Sequence, residues 1–142
     1  MVNAWLKEQD IELKAQVIDE NALRQQAAEA KADGDSVGGE IACTVTGLPA
    51  GLGGPGWREA VESELARHLF AIPAVKALGF GDGAALAHMR GSRANDPLRT
   101  DGTRVRTVTN HNGGINGGVT NGMPLTFTVT FKPTPSIALP QD

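Results

Sequence analysis

A chain of 142 residues with a hydrophobic fraction of 40% is long enough for one domain with a single core. Its formal net charge of -3 and aromatic fraction of 4% argue against a protein that binds nucleic acid through bulk charge or a base-stacking platform. The single cysteine, Cys43, excludes an intramolecular disulfide framework and a Cys-x-x-Cys metal site, and its apolar surroundings predict a core residue. We expect a cytoplasmic protein, because the sequence shows neither a signal-peptide pattern nor an apolar run long enough to span a membrane.

The first part of the chain alternates between strand and helix. Apolar and polar residues alternate over residues 11–17, which predicts a strand. Strong helix formers then predict a helix that Asp19 caps and that runs to Ala32. A second alternating segment predicts a strand at residues 40–46, and the glycine and proline content of residues 47–56 predicts an irregular loop.

The middle of the chain again predicts a helix followed by a strand, and a less regular, charged segment comes after them. Apolar residues recur every four positions in residues 57–70, which predicts a helix that covers one face of a sheet. We predict a strand at residues 74–80, a charged loop at residues 90–103 and a short strand at residues 105–108. This order of elements predicts a single α+β domain over residues 1–142. Its architecture is a two-layer sandwich, with helices on one face of a mainly antiparallel sheet.

A glycine-rich loop leads into the last predicted strand. Residues 110–124 read NHNGGINGGVTNGMP, and residues 125–131 alternate between large apolar residues and threonine before Lys132. Closely spaced glycines let backbone N-H groups approach a ligand. A loop of this kind followed by a strand that ends in a lysine is typical of a phosphate or cofactor site. The loop lacks the Gly-Lys-Ser/Thr ending of a P-loop and the spacing of a Rossmann fingerprint.

Positive charge is concentrated just before this loop. The chain carries five arginines there with two aspartates: Arg90, Arg93, Arg99, Arg104 and Arg106, with Asp96 and Asp101. Such local positive potential would suit an anionic small molecule. A solvated basic loop explains the same pattern, and the sequence leaves both interpretations open.

The three histidines lack an obvious catalytic or metal pattern. His111 lies in the glycine loop, where it is a candidate acid-base group, a neighbour of a bound cofactor or a solvated side chain. His68 lies late in a predicted helix, where the helix dipole favours it. His88 has no ligand partner at metal-binding spacing, so no metal site is predicted. The run Asn95-Asp96-Pro97 predicts a turn.

Six segments of the chain, in the same order, resemble the chorismate synthase family. The resemblance extends over nearly the whole chain from Trp5 onward, and its clearest segments lie between residues 34 and 137. They are GDSVGG at 34–39, TGLPAGLGGPGW at 46–57, IPAVKALGFGDG at 72–83, MRGSRAND at 89–96, NHNGGINGGVTNGMP at 110–124 and FKPTPSI at 131–137.

The resemblance implies a flavin enzyme. Chorismate synthases eliminate phosphate from 5-enolpyruvylshikimate 3-phosphate to give chorismate, and they require reduced FMN although no net redox change occurs. The family forms homotetramers, so a homo-oligomer is expected. By resemblance, the FMN contacts fall on Pro73, Ala74, Gly117, Lys132, Pro133, Thr134, Pro135 and Ser136.

The sequence also departs from the family pattern. The Gly-Glu-Ser-His-Gly and Arg-Pro-Gly-His motifs that carry the family's catalytic histidines do not occur in it, so its catalytic residues are unknown. Arg93 stands where the family usually has an acidic or polar residue. The chain resembles the central, FMN-binding part of the enzyme, and we expect no turnover by it alone. Two alternatives are a non-catalytic assembly or flavin- or anion-binding module, and a generic nucleotide-binding module suggested by glycine content alone.

Overall fold

The structure is a computed structural model, and it describes residue 6 and residues 8 to 140. In this part of the chain the strands are β1 (Glu12–Val17), β2 (Gly39–Thr46), β3 (Val75–Phe80), β4 (Leu98–Thr100), β5 (Val105–Thr107), β6 (Ile115–Asn116), β7 (Val119–Thr120) and β8 (Leu125–Phe131). The helices are α1 (Glu20–Ala32), α2 (Val61–Leu69), a 3-10 helix (Gly83–His88) and α3 (Gly91–Ala94).

The main sheet has four strands in the order β1-β2-β8-β3, and every neighbouring pair is antiparallel. The last long strand therefore lies in the middle of the sheet, between strands from the first and central parts of the chain. In this register Cys43 of β2 lies opposite Phe127 of β8, which in turn lies opposite Phe80 of β3. The smaller sheets are two hairpins, β4-β5 and β6-β7.

One face of the main sheet carries the core. Its buried apolar residues are Val75, Ile115, Leu125, Phe127 and Val129. The apolar stripe of α2 packs against this cluster, and Leu23 of α1 lies against Gly39 on the same face. The predicted α+β architecture, with helices on one face of an antiparallel sheet, is confirmed. Cys43 packs against the core as predicted, although it is only half-buried, and burial raises the pKa of its thiol.

The opposite face of the sheet is lined by small and polar side chains. Because side chains alternate along a strand, the threonines of β8 all point away from the core. Thr126 lies beside Thr44, and Thr130 lies beside Glu40, whose carboxylate accepts a hydrogen bond of 2.8 Å from the Thr130 hydroxyl.

Two predictions at helix starts were wrong. The helix expected over residues 57–70 begins only at Val61, because Ala60 is extended and the N-H groups of Glu59 and Ala60 both donate to the carbonyl of Gly56 in a turn. Asp19 does precede α1, but its left-handed backbone, with a φ of 49°, leaves its side chain without a capping hydrogen bond.

The charged loop predicted for residues 90–103 was also wrong, because it contains α3 and β4. Strand β4 pairs with β5, so that Arg99 lies opposite Arg106. Asp101 fixes the turn between the two strands by accepting hydrogen bonds from the Thr103 hydroxyl and from the N-H groups of Thr103 and Arg104. These bonds lower the pKa of Asp101 to about 2. Asp101 and Arg104 flank the two central residues of the turn, Gly102 and Thr103, and a glycine at the first central position is a hairpin signal that the surrounding charge obscured.

Candidate functional site

The end of β8 and the start of β3 meet at one corner of the sheet. Val75 pairs with Phe131, and the N-H of Lys132 donates a hydrogen bond of 2.9 Å to the carbonyl of Ala74. Pro73 precedes Ala74 in the same turn, so the structure brings both residues next to Lys132. Ala74 has a φ of 70°, a strained conformation for a residue other than glycine.

The loop at residues 34–39 packs against this corner from the other side. The Ser36 hydroxyl donates a hydrogen bond of 2.7 Å to the carbonyl of Thr134, and the N-H of Ala138 donates one of 2.8 Å to the carbonyl of Gly34. A side chain at Gly38 would collide with the Phe131 carbonyl oxygen, so only glycine allows this approach. The sequence indicated both segments separately but gave no signal that they touch.

Lys132 and the four residues after it are exposed and form an open wall, which we call the Lys132 wall (residues 132–136 with Pro73 and Ala74). Within the described part of the chain no carboxylate forms an ion pair with Lys132. The ammonium group, the hydroxyls of Thr134 and Ser136 and nearby backbone N-H groups are donors suited to a phosphate or to the oxygens of a flavin ring. The donors present therefore fit the expected cofactor.

Gly117 is not part of this wall. It lies in the turn between β6 and β7, beyond the start of β8, whereas Lys132 follows the end of β8. The seven residues of β8, at about 3.3 Å per residue, place these two ends about 20 Å apart. The glycine loop and the lysine therefore do not surround one phosphate, as the order of residues had suggested.

The glycine loop is held by a buried carboxylate. Asp96 is only 8% exposed and accepts hydrogen bonds from the Thr109 hydroxyl, the His111 N-H and the Asn112 N-H, at 2.7, 2.8 and 2.9 Å. Burial alone would raise the pKa of Asp96, but these three donors outweigh it and the pKa is lowered. The sequence predicted only a local turn here, because the partners of Asp96 lie 13 to 16 residues away.

His111 is fixed at the end of β3. Its Nδ1 lies 2.5 Å from Oδ2 of Asp82, and its carbonyl accepts a hydrogen bond of 2.9 Å from the Asp82 N-H. Gly81 and Gly113 touch backbone to backbone at this point, where a side chain on either would collide with the other segment. The loop is thus locked against β3 by both hydrogen bonds and close packing.

A cleft of about 650 Å³ lies beside this histidine. We call it the basic cleft. Its lining residues are His88, Met89, Arg90, Ser92, Arg93, Asn95, Pro97, Thr109 and His111. Two of the five arginines in the predicted basic segment, Arg90 and Arg93, therefore lie in one cleft with His111 of the glycine loop.

Among residue 6 and residues 8 to 140, no cluster of three or more His, Cys, Asp or Glu side chains is arranged to hold a metal ion. No helix in that part of the chain has the length and apolar character needed to cross a membrane.

Comparison with known proteins identifies relatives of this chain. A sequence model of the family described as Chorismate synthase matches residues 3–142. The chorismate synthase of Thermococcus gammatolerans is 53% identical over 126 residues, which are 87% of this chain and 35% of that protein. The chorismate synthase of Dehalococcoides mccartyi (strain 195) is 50% identical over 120 residues, or 84% of this chain and 32% of that protein.

A solved structure, Crystal Structure of Chorismate Synthase, has the same fold. It superposes with a TM-score of 0.87 at 23% identity, and the match covers 94% of this chain and 52% of that one. This chain spans about a third of the length of the two relatives named above. A family model that matches nearly the whole chain, and relatives that share about half of their aligned residues with it, show that the chain belongs to the chorismate synthase family.

Proposed function

We propose that this chain supplies an FMN-binding wall of a chorismate synthase, a carbon-oxygen lyase that eliminates phosphate from 5-enolpyruvylshikimate 3-phosphate to give chorismate. The observation that carries the proposal is the corner where Ala74 and Lys132 are joined by a backbone hydrogen bond. The segment that follows β8 carries one lysine and two hydroxyls, all exposed, and this bond joins it to the turn before β3.

Each part of the wall has a distinct role in holding the cofactor. Lys132 supplies positive charge for an anionic group, and Thr134 and Ser136 supply hydroxyl donors. The Ser36 hydroxyl holds the Thr134 carbonyl and so fixes the wall from behind. Reduced FMN, when bound, would supply the electron-donating chemistry that the family's elimination requires without net redox change.

We propose further that the chain alone does not turn over substrate, because the histidine motifs of the family do not occur in its sequence. A phosphate-release assay with 5-enolpyruvylshikimate 3-phosphate and reduced FMN tests this. We expect a rate no higher than that of a blank without protein. Chorismate formed by a sample purified from a host lacking its own chorismate synthase would show that residues outside those motifs are sufficient.

The alternative is a non-catalytic module that retains the fold and serves in assembly. The observation that favours it is the β4-β5 hairpin, whose Leu98 and Val105 are 70% and 64% exposed. Exposed apolar residues on a projecting hairpin are typical of a contact surface. FMN binding separates the two candidates, because a purely structural module would not bind it through Lys132. For either role we propose a homo-oligomer located in the cytoplasm.

A further inference from the structure

The basic cleft is lined by basic, neutral polar and apolar residues, Met89 and Pro97 among them, and no carboxylate residue is part of its lining. Arg90 and Arg93 contribute two guanidinium groups to it, and His88 and His111 contribute two imidazoles. A volume of about 650 Å³ is within the usual range for small-molecule sites.

The first wall of the cleft is a single turn of backbone that places the two arginines on one side. The N-H groups of Arg93 and Ala94 both donate to the carbonyl of Arg90, at 2.8 and 3.0 Å. Residues three positions apart on a helical turn lie on the same face, so Arg90 and Arg93 project in a similar direction.

The opposite wall is held in place by two carboxylates that do not line the cleft. Asp96 binds the Thr109 hydroxyl and the His111 N-H, and Asp82 binds Nδ1 of the His111 ring. Each carboxylate is already engaged, and Asp96 is almost fully buried. Neither carboxylate forms an ion pair with Arg90 or Arg93.

The two arginines of the cleft have no ion-pair partner within the described part of the chain. No ion pair there includes Arg90 or Arg93. The neighbouring hairpin carries two further arginines, Arg99 and Arg106, which lie directly opposite each other across β4 and β5, and one carboxylate, Asp101, in its turn. Like charges placed so close together repel each other, and a bound anion would relieve the repulsion.

We propose that the basic cleft binds a phosphate group, either as free phosphate or as the phosphate of a small organic ester, at a site separate from the Lys132 wall. Arginine forks bind phosphate oxygens in pairs, and the Ser92 hydroxyl lines the same cleft as a further donor. The cleft adjoins the end of β3, whereas Lys132 lies beside its start. The two sites are therefore about 20 Å apart, given the six residues of β3 at about 3.3 Å each.

The test is a titration of the whole chain with inorganic phosphate at constant ionic strength, followed by the NMR amide shifts of residues 88–95 and 109–112. We expect saturable shifts in the wild type and affinity about tenfold or more weaker in Arg90→Gln and Arg93→Gln, since each loses a charge-assisted hydrogen bond. Arg90→Lys and Arg93→Lys keep the charge and should retain part of the affinity. A parallel titration with glycerol 3-phosphate distinguishes the two sources: tighter binding indicates an organic ester, and equal or weaker binding indicates free phosphate.

Two control variants locate the site. Arg24→Gln removes one positive charge from the exposed side of α1, the helix between β1 and β2, and Lys132→Ala removes one from the proposed cofactor wall. Both should bind phosphate like the wild type. The proposal is overturned if a folded wild type shows no saturable shifts, or if either control loses affinity as much as the cleft variants do. Since Lys132→Ala is expected to affect FMN and not phosphate, failure of one proposal is distinguishable from failure of the other.

Discussion

Ala74 adopts a left-handed backbone conformation at the point where β3 meets Lys132, with a φ of 70°. A β-branched side chain is much less tolerant of this conformation than alanine is. We therefore expect Ala74→Val to lower the free energy of unfolding by about 1–2 kcal/mol. Urea denaturation measures this, with Ala77→Val as the control because Ala77 lies in β3, where valine is favoured. Equal stabilities of the two variants would contradict the proposed strain.

Asp96 connects the turn after α3 to the glycine loop through its three hydrogen bonds. Asparagine keeps one acceptor but replaces the second carboxylate oxygen with an NH₂ group. We expect Asp96→Asn to reduce the free energy of unfolding at neutral pH by about 1–3 kcal/mol. Asp33→Asn is a suitable control, because it removes the same charge from an exposed position at the end of α1.

The stability that the Asp96 carboxylate contributes to the folded chain should be lost as the pH falls. Its pKa is lowered in the folded chain, relative to about 3.9 for an unfolded aspartate. The folded state therefore gains stability from this carboxylate above the unfolded pKa and loses it as the pH falls through the lowered folded pKa. Wild type and Asp96→Asn should differ most near neutral pH and converge in acid. A difference that grows as the pH falls would show that the carboxylate does not act in this way.

The loop at residues 34–39 fits against the end of β8 only because Gly38 has no side chain. A Cβ there would collide with the Phe131 carbonyl oxygen and lie 3.1 Å from Cδ of Pro133. We expect Gly38→Ala to cost about 1–3 kcal/mol of stability by forcing the two segments apart, and to weaken FMN binding if the Lys132 wall holds the cofactor. Gly91→Ala is the matched control, because its Cβ would meet nothing within 4 Å. Thermal unfolding that is unchanged in Gly38→Ala would show that the loop can shift without cost.

Elements with a regular apolar pattern could be predicted from the sequence, and elements fixed by turns could not. Strands β1, β2 and β8 alternate with a period of two, and their predicted positions are confirmed within a residue or two. The β4-β5 hairpin is mostly exposed and charged, so no apolar pattern indicated its first strand. The start of α2 was misplaced because the turn at Gly56 competes with helix formation.

Sequence patterns could not predict the contacts that build the candidate sites, because these contacts join residues that lie far apart in the sequence. Ser36 and Thr134 are 98 positions apart, and nothing in the spacing of either segment indicates the other. Local composition did indicate the basic cleft, since its two arginines belong to one short segment. The resemblance to the family supplied the residues of the Lys132 wall, and the structure brings all of them together except Gly117.

The whole chain exposes more surface than a compact globule of its size. Its accessible surface is 10117 Å² at a mass of 14.8 kDa, whereas a compact monomer of that mass exposes roughly 7000 Å². Large apolar residues contribute to the excess, and Trp57 is 76% exposed. We expect the chain to self-associate, which light scattering during gel filtration can detect. A strictly monomeric mass at high concentration would contradict this.

Whether the Lys132 wall is a flavin site can be tested by measuring FMN binding through fluorescence quenching. The wild type should bind FMN saturably, and Lys132→Ala should bind it about tenfold or more weakly, because a charge-assisted contact is lost. Lys14→Ala is the control, since Lys14 is an exposed lysine on β1, at the far edge of the sheet. If Lys132→Ala binds FMN as tightly as the wild type, the Lys132 wall is not the flavin site. The same conclusion follows if the wild type does not bind FMN although circular dichroism shows that it is folded.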